Sequence, residues 1–158
     1  MNKNKKETTI TITDSDIRRI ARQVMQEISK QSHFQYYNCN PKGIVTGDCV
    51  IRAISKALNK HWDNVLKDLT KYSLKYKYFI GCTELYEIYL SDNGWEKHKA
   101  PRKKNGKPYK LIEWLNVFDN SAIVTIDKNH LTYIDNSTLY DVWDCTQHIV
   151  GEYWTYKR

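Results

Sequence analysis

The sequence predicts an α+β fold with a helical front half and an antiparallel back half. Between residues 49 and 118 the apolar side chains recur mostly at helical spacing, whereas SAIVTID, HLTYID, LYDVWDC and GEYWTYK read as successive strands joined by tight turns. Helices and strands segregated along the chain, rather than alternating, exclude a doubly wound parallel sheet. With 158 residues, 41% of them hydrophobic and 27% charged, the chain is long and apolar enough to bury a core without disulfide staples.

Taken in order, residues 1–7 are polar and basic, and TTITIT at 8–13 alternates in the manner of a strand. Thr13 and Asp16 have the spacing of a capping box, and Ile17, Ile20, Ala21, Val24 and Ile28 follow at helical intervals. This strand and amphipathic helix form an extension, residues 1–33, with an apolar face that must pack on the main domain or on a second copy of the chain. The main domain is expected over 34–158. It opens with the loop FQYYNCNPKGIVTGD, punctuated by Pro41, Gly43 and Gly47. A helix starts at Cys49 with Asp48 as its N-cap and Val50, Ile51, Ile54, Ala57 and Leu58 as its buried stripe. A second helix is expected from about His61 to Lys77. A third runs from Thr83, its cap, to Asp92, where Asn93-Gly94 makes a left-handed stop. Lys97 to Lys110 is a basic loop, and Leu111 to Phe118 a short helix.

Cysteine usage and the ends narrow the setting. Cys39, Cys49, Cys82 and Cys145 contain no C-x-x-C pair, so a zinc cage is not indicated. The basic start is not followed by an apolar run, and no stretch has the roughly 18–20 apolar residues of a membrane span. The expectation is a cytoplasmic protein without a membrane partner. Cys39, Cys82 and Cys145 read as structural thiols, and His33, His61, His98 and His148 as surface or supporting histidines.

Three residues carry the chemistry. Cys49 stands at the mouth of a helix, where unpaired N–H groups and the positive helix end lower a thiol pKa and offer an oxyanion site. Asp48 opposes thiolate formation unless it is turned away as the cap. His130 opens one strand and Asp144 ends the next. If Asn136 to Thr138 make the turn between them, Asp135 pairs with Leu139 and His130 lies opposite Asp144. A two-residue turn at Asn136-Ser137 puts Trp143 opposite His130 instead, and Asp141 is then the alternative orienting carboxylate.

The order GDCVIRAISKAL at 47–58, HLTYID from His130, and Asp144 resembles the papain-like cysteine peptidase superfamily, especially compact bacterial and phage members similar to bacteriocin-processing peptidase domains. The likeness spans about residues 36–156. It implies a papain-like fold, a helix bearing the cysteine packed on a C-terminal antiparallel sheet. It implies a thiol hydrolase that cleaves a peptide, amide or isopeptide bond with Cys49 as nucleophile, His130 as general base and Asp144 as orienting residue. No metal or organic cofactor is required by that chemistry. The family places a glutamine, the side-chain oxyanion donor, about six residues before the cysteine; that position is Gly43, and Asn40 is the nearby substitute, since Pro41 stiffens the chain beyond it.

The net charge of +7 leaves a second expectation. Lys97, Lys99, Arg102, Lys103, Lys104, Lys107 and Lys110 concentrate positive charge in one loop, with Lys103, Lys104 and Lys107 as candidate contacts for an acidic protein or a nucleic acid. In that case the fold is catalytically idle and serves as a binding or inhibitory protein, and the Lys/Asn/Ile/Tyr-rich composition suits a phage accessory protein in a host cytoplasm. The helix over 13–31 is the candidate homo-oligomer contact. Tyr133, Tyr140, Trp143, Tyr153, Trp154 and Tyr156 lie in the strand-rich half, where aromatics suit a pleated core more than a base-stacking platform.

Overall fold

The computed structural model describes residues 13–29 and 33–157. The chain divides into two compact units, Met1–Ser32 and His33–Arg158. The first contains α1 (Asp14–Ser29). Its start is the reciprocal cap expected from the sequence: Asp16 N–H donates to Thr13 Oγ1 at 3.2 Å, and Thr13 N–H donates to Asp16 Oδ2 at 3.1 Å. Ile17 and Ile20 are exposed on this helix. The strand expected over 8–13 lies outside the described residues except for Thr13.

The second unit runs β1 (Phe34–Tyr36), α2 (Cys49–Leu58), α3 (Trp62–Tyr76), α4 (Thr83–Asp92), β2 (Trp95–His98), α5 (Leu111–Leu115), β3 (Ala122–Ile126), β4 (His130–Asp135), β5 (Thr138–Asp141) and β6 (Val150–Tyr156). The fold is α+β. Its six-stranded sheet has the order β1-β5-β4-β3-β6-β2, antiparallel throughout except where β1 runs parallel to β5. Among the described residues, no helix is long and apolar enough to cross a membrane.

Both sheet faces are covered, which explains why β3 is apolar at nearly every position and buried along its whole length. Alternation along β3 sends Ile123 to one core and Ala122, Val124 and Ile126 to the other. On the first face α2, α3 and α4 pack Val50, Ile54, Val65, Leu69 and Leu90 against Ile123, Leu131, Tyr133 and Trp154. On the second, Leu111, Trp114 and Leu115 of α5 cover Val124, Ile134, Leu139 and Val150. Of the back-half aromatics, Tyr133 and Trp154 lie in the first core and Tyr140 and Tyr153 pack against the cores, whereas Trp143 and Tyr156 are exposed. Tyr86 meets Trp154 edge-on at 5.6 Å, and Trp114 packs on Tyr153 at 4.9 Å.

Several expected boundaries move. The first residues of the FQYY loop form β1, and Trp95–His98 is an edge strand rather than the approach to the basic loop. Its charged residues suit an edge, where Lys97 bridges Glu87 at 2.7 Å and Glu152 at 2.8 Å. Thr83 is the first helical residue of α4, and the cap position is Cys82, which makes no side-chain cap bond. LYDVWDC stops being strand at Asp141. The β4–β5 turn has two residues, Asn136 and Ser137, both with positive φ (46° and 59°), and Asp135 pairs with Thr138. This is the tight turn whose left-handed residues match the twist of the strands, and it sets the geometry of the site.

Candidate functional site

The register of β4 and β5 decides which carboxylate meets His130. Asp135 opposite Thr138 and Tyr133 opposite Tyr140 put Asp141 one diagonal step from His130 on the same face of the hairpin. His130 Nε2 lies 2.5 Å from Asp141 Oδ2. The expected partner, Asp144, is exposed beyond the strand end, where its Oδ1 accepts the Thr146 N–H at 3.0 Å. The two-residue turn is the physical reason for this correction, since it advances the partner strand by one position.

The start of α2 supplies the third group. The Cys49 thiol lies beside His130 and beside backbone groups of Leu131 and Val50, close enough for each to act on its pKa. With Nε2 committed to Asp141, Nδ1 is the ring nitrogen left for the sulfur. Burial works against charge on both partners, but their mutual contact prevails. The His130 pKa is pulled down by burial and raised more strongly by Asp141 and by Cys49, reaching about 9. Burial raises the Cys49 thiol, yet the His130 hydrogen bond and the Leu131 contact bring it below its ordinary value. Both shifts favour a thiolate–imidazolium pair.

Asp48 does not oppose that pair. It holds the N-cap position of α2 but makes no side-chain cap bond. Its carboxylate instead accepts from the buried Arg52 guanidinium, from Trp62 Nε1 at 2.9 Å and from Asn40 Nδ2 at 3.2 Å. Arg52 also reaches Asp141 Oδ1 at 3.6 Å. Asp48, Arg52 and Asp141 are 6%, 5% and 3% exposed, so one buried guanidinium bridges two buried carboxylates. That ionic link ties the helix carrying Cys49 to the acid that holds His130. Trp143, just past β5, sets its ring 5.4 Å from that of His130.

The sequence signal for Arg52 is its spacing: Asp48 and Arg52 are four apart on a helix, flanking Cys49. Sequence reasoning treats such an arginine as exposed, and only its burial marks it as part of the site. Asn40, expected as an oxyanion donor, is engaged elsewhere. Its amide donates to Asp48, and its oxygen accepts the Lys42 N–H at 3.0 Å. Asn40 does not line the cavity in front of Cys49.

That cavity has a volume of about 360 Å³, and Cys49, Cys82, Glu84, Lys128 and His130 are among its walls. A second cysteine lies behind the histidine. Donor atoms of His130, Asp141 and Cys145 fall within 4.8 Å of one another, a spacing open to a metal ion. Tetrahedral zinc holds its ligands at ~2.0–2.3 Å, and so more than ~3 Å apart from one another. The 2.5 Å contact between His130 and Asp141 is a hydrogen bond instead. Burial, followed by the charge of Asp141, pushes the Cys145 thiol well above its ordinary value, so it stays protonated beside the pair.

The basic loop is partly neutralised. Lys103 Nζ meets Glu113 Oε1 at 2.7 Å, whereas Lys104 and Lys107 are exposed and without an ion-pair partner among the described residues. Comparison of the chain with known protein families, with curated proteins and with solved structures finds no match.

Proposed function

We propose that the chain is a thiol hydrolase acting on an amide or peptide carbonyl, with Cys49 as nucleophile, His130 as acid and base, and Asp141 as the orienting carboxylate. The observation that carries this is the continuous contact from the Cys49 thiol through His130 to Asp141, opening on a cavity. A cysteine, a base within reach and a third group holding the base are the requirements of covalent thiol catalysis.

In the reaction, the Cys49 thiolate attacks the substrate carbonyl carbon and forms a C–S bond. The oxyanion that develops is met by backbone N–H groups at the start of α2, where no side chain caps the helix. Collapse breaks the C–N bond as His130 delivers its proton to the leaving amine. Neutral His130 then takes a proton from water, which attacks the thioester and releases the acid. Asp141 fixes the ring and stabilises its charged form in both steps. A papain-like peptidase is the form of this activity that the sequence resemblance favours.

Mass-spectrometric detection of new termini in a peptide library tests the proposal. Cleavage is expected with the native chain, reduced by at least about 10³-fold in Cys49→Ala. It persists in Asp144→Asn, because Asp144 does not touch His130. Cleavage that survives Cys49→Ala, or none across the library, refutes it.

We also propose Lys104 and Lys107 as the anion contacts of the basic loop, since their exposed charges are not paired as that of Lys103 is. Retention on heparin should fall when both become Gln; unchanged retention refutes this role.

A further inference from the structure

A second cavity, of about 350 Å³, adjoins the one in front of Cys49, and Lys128 lines both. We propose, resting on the hydrolase reading above, that the two form one substrate cleft. An extended peptide crosses Lys128 and seats an apolar side chain in the second cavity, with an acidic neighbour against Arg102.

The continuity is built into the sheet. Thr125 lines the first cavity and Gly151 the second, and they lie against each other where the β3–β6 register shifts between Val124 and Ile126. A Cβ at Gly151 would fall 2.3 Å from Thr125 Oγ1, so only glycine allows this approach. The floor between the cavities therefore carries no side chain at 151. The basic loop supplies the outer wall. Arg102 and Pro108 pair across a hairpin, and the Lys103 N–H donates to the Lys107 carbonyl at 2.9 Å. The Val150 N–H donates to the Tyr109 carbonyl at 3.0 Å, and the Asp127 N–H to that of Ile149 at 3.0 Å. Backbone bonds thus fix the hairpin beside the β3–β4 turn that leads into His130.

The lining names the occupant. Ala100, Pro108, Ile149 and Val150 make the second cavity largely apolar, and Ile149 is 37% exposed there, surface that a substrate side chain would cover. Its one carboxylate, Asp127, is taken by His148 at 2.6 Å and by the Ile149 N–H at 3.0 Å. Arg102 and Lys128 are exposed and have no ion-pair partner among the described residues. Glu84 stands on the α4 wall of the first cavity, so the uncompensated positive charge is confined to the Lys128 side. Direction follows from the chemistry. His130 hands its proton to the leaving amine, which places the amine-bearing fragment on the His130 side of the cleft. Lys128 and Asn129 lead straight into His130, so the apolar and acidic residues are expected C-terminal to the scissile bond.

Cleavage profiling of a peptide library with the native chain, Ile149→Ser and Arg102→Glu tests the cleft. The iodoacetamide rate of Cys49 is the control, since that reagent is too small to reach the second cavity. The native chain should favour, by roughly tenfold, bonds followed by a large apolar residue with Asp or Glu beside it. Ile149→Ser should abolish the apolar preference, and Arg102→Glu should turn the acidic preference basic. Neither should change the iodoacetamide rate. Cleavage without these preferences, preferences on the N-terminal side of the bond, preferences that survive both variants, or a matching fall in the iodoacetamide rate would overturn the cleft and leave the hydrolase standing. No cleavage by the native chain would remove the hydrolase, and the cleft with it.

Discussion

His130 meets Asp141 at 2.5 Å and His148 meets Asp127 at 2.6 Å, so by distance the two pairs are alike. The side chains of the first are 18% and 3% exposed, those of the second 42% and 50%. Solvent screens the outer pair and leaves it little more than a latch between the β3–β4 turn and the loop before β6. The inner pair is backed by Arg52 and faced by a thiol, and there the same contact pushes His130 up to about 9. A histidine and an aspartate in contact are therefore not a site by themselves. Burial, a counter-charge behind the acid and a nucleophile in front of the base make the difference. Trp143 lies between the two, 5.4 Å from one imidazole and 5.0 Å from the other.

Asp141→Asn against Asp127→Asn should separate the pairs most widely. Asp141→Asn should cut hydrolysis by about 10²–10⁴-fold, as loss of an orienting carboxylate does. It should also cost roughly 3–5 kcal/mol in urea unfolding, because it leaves buried Arg52 short of one partner. Asp127→Asn should change stability by less than about 1 kcal/mol and activity hardly at all. Equal effects would erase the distinction between them.

A smaller effect is expected at the ring between the pairs. Trp143→Ala opens one side of His130 to water and should lower hydrolysis by roughly tenfold, with a stability loss of about 1–2 kcal/mol for a half-exposed aromatic. Trp143→Phe should recover most of the rate. A loss as large as that of Asp141→Asn would mean that the ring, not the carboxylate, holds His130.

The two pairs also mark the reach of sequence reasoning. Cys49 and His130 are legible because each sits at an element boundary: one at a helix mouth after a glycine-containing loop, the other at the start of an alternating strand. The α+β class is legible from the change in periodicity near residue 120. The orienting acid is less so, since Asp141 and Asp144 differ only by where the turn falls. Asn136-Ser137 carries no glycine to announce a tight left-handed turn, and one residue of slip exchanges the partners. Arg52 is hidden for another reason: its burial depends on two carboxylates, and Asp141 lies far along the chain. β2 is hidden because edge strands carry the same charged residues as loops.

The central claim is a thiolate–imidazolium pair at Cys49 and His130, and stability is a poor probe of it. The raised His130 holds its proton more tightly in the folded chain while the lowered Cys49 gives its proton up more readily, so the two act in opposite directions on the proton balance of folding and offset one another. Reactivity does differ. Peptide mapping after brief iodoacetamide treatment, from pH 5 to pH 10, measures it directly. Labelling of Cys49 should rise at lower pH than that of a free cysteine, because its pKa is lowered, while Cys145 stays unlabelled across the range. In Asp141→Asn the Cys49 profile should move to higher pH, since the imidazolium has lost its counter-charge. A Cys49 rate that climbs with the profile of free cysteine, around pH ~8.5, and ignores Asp141 would contradict the account.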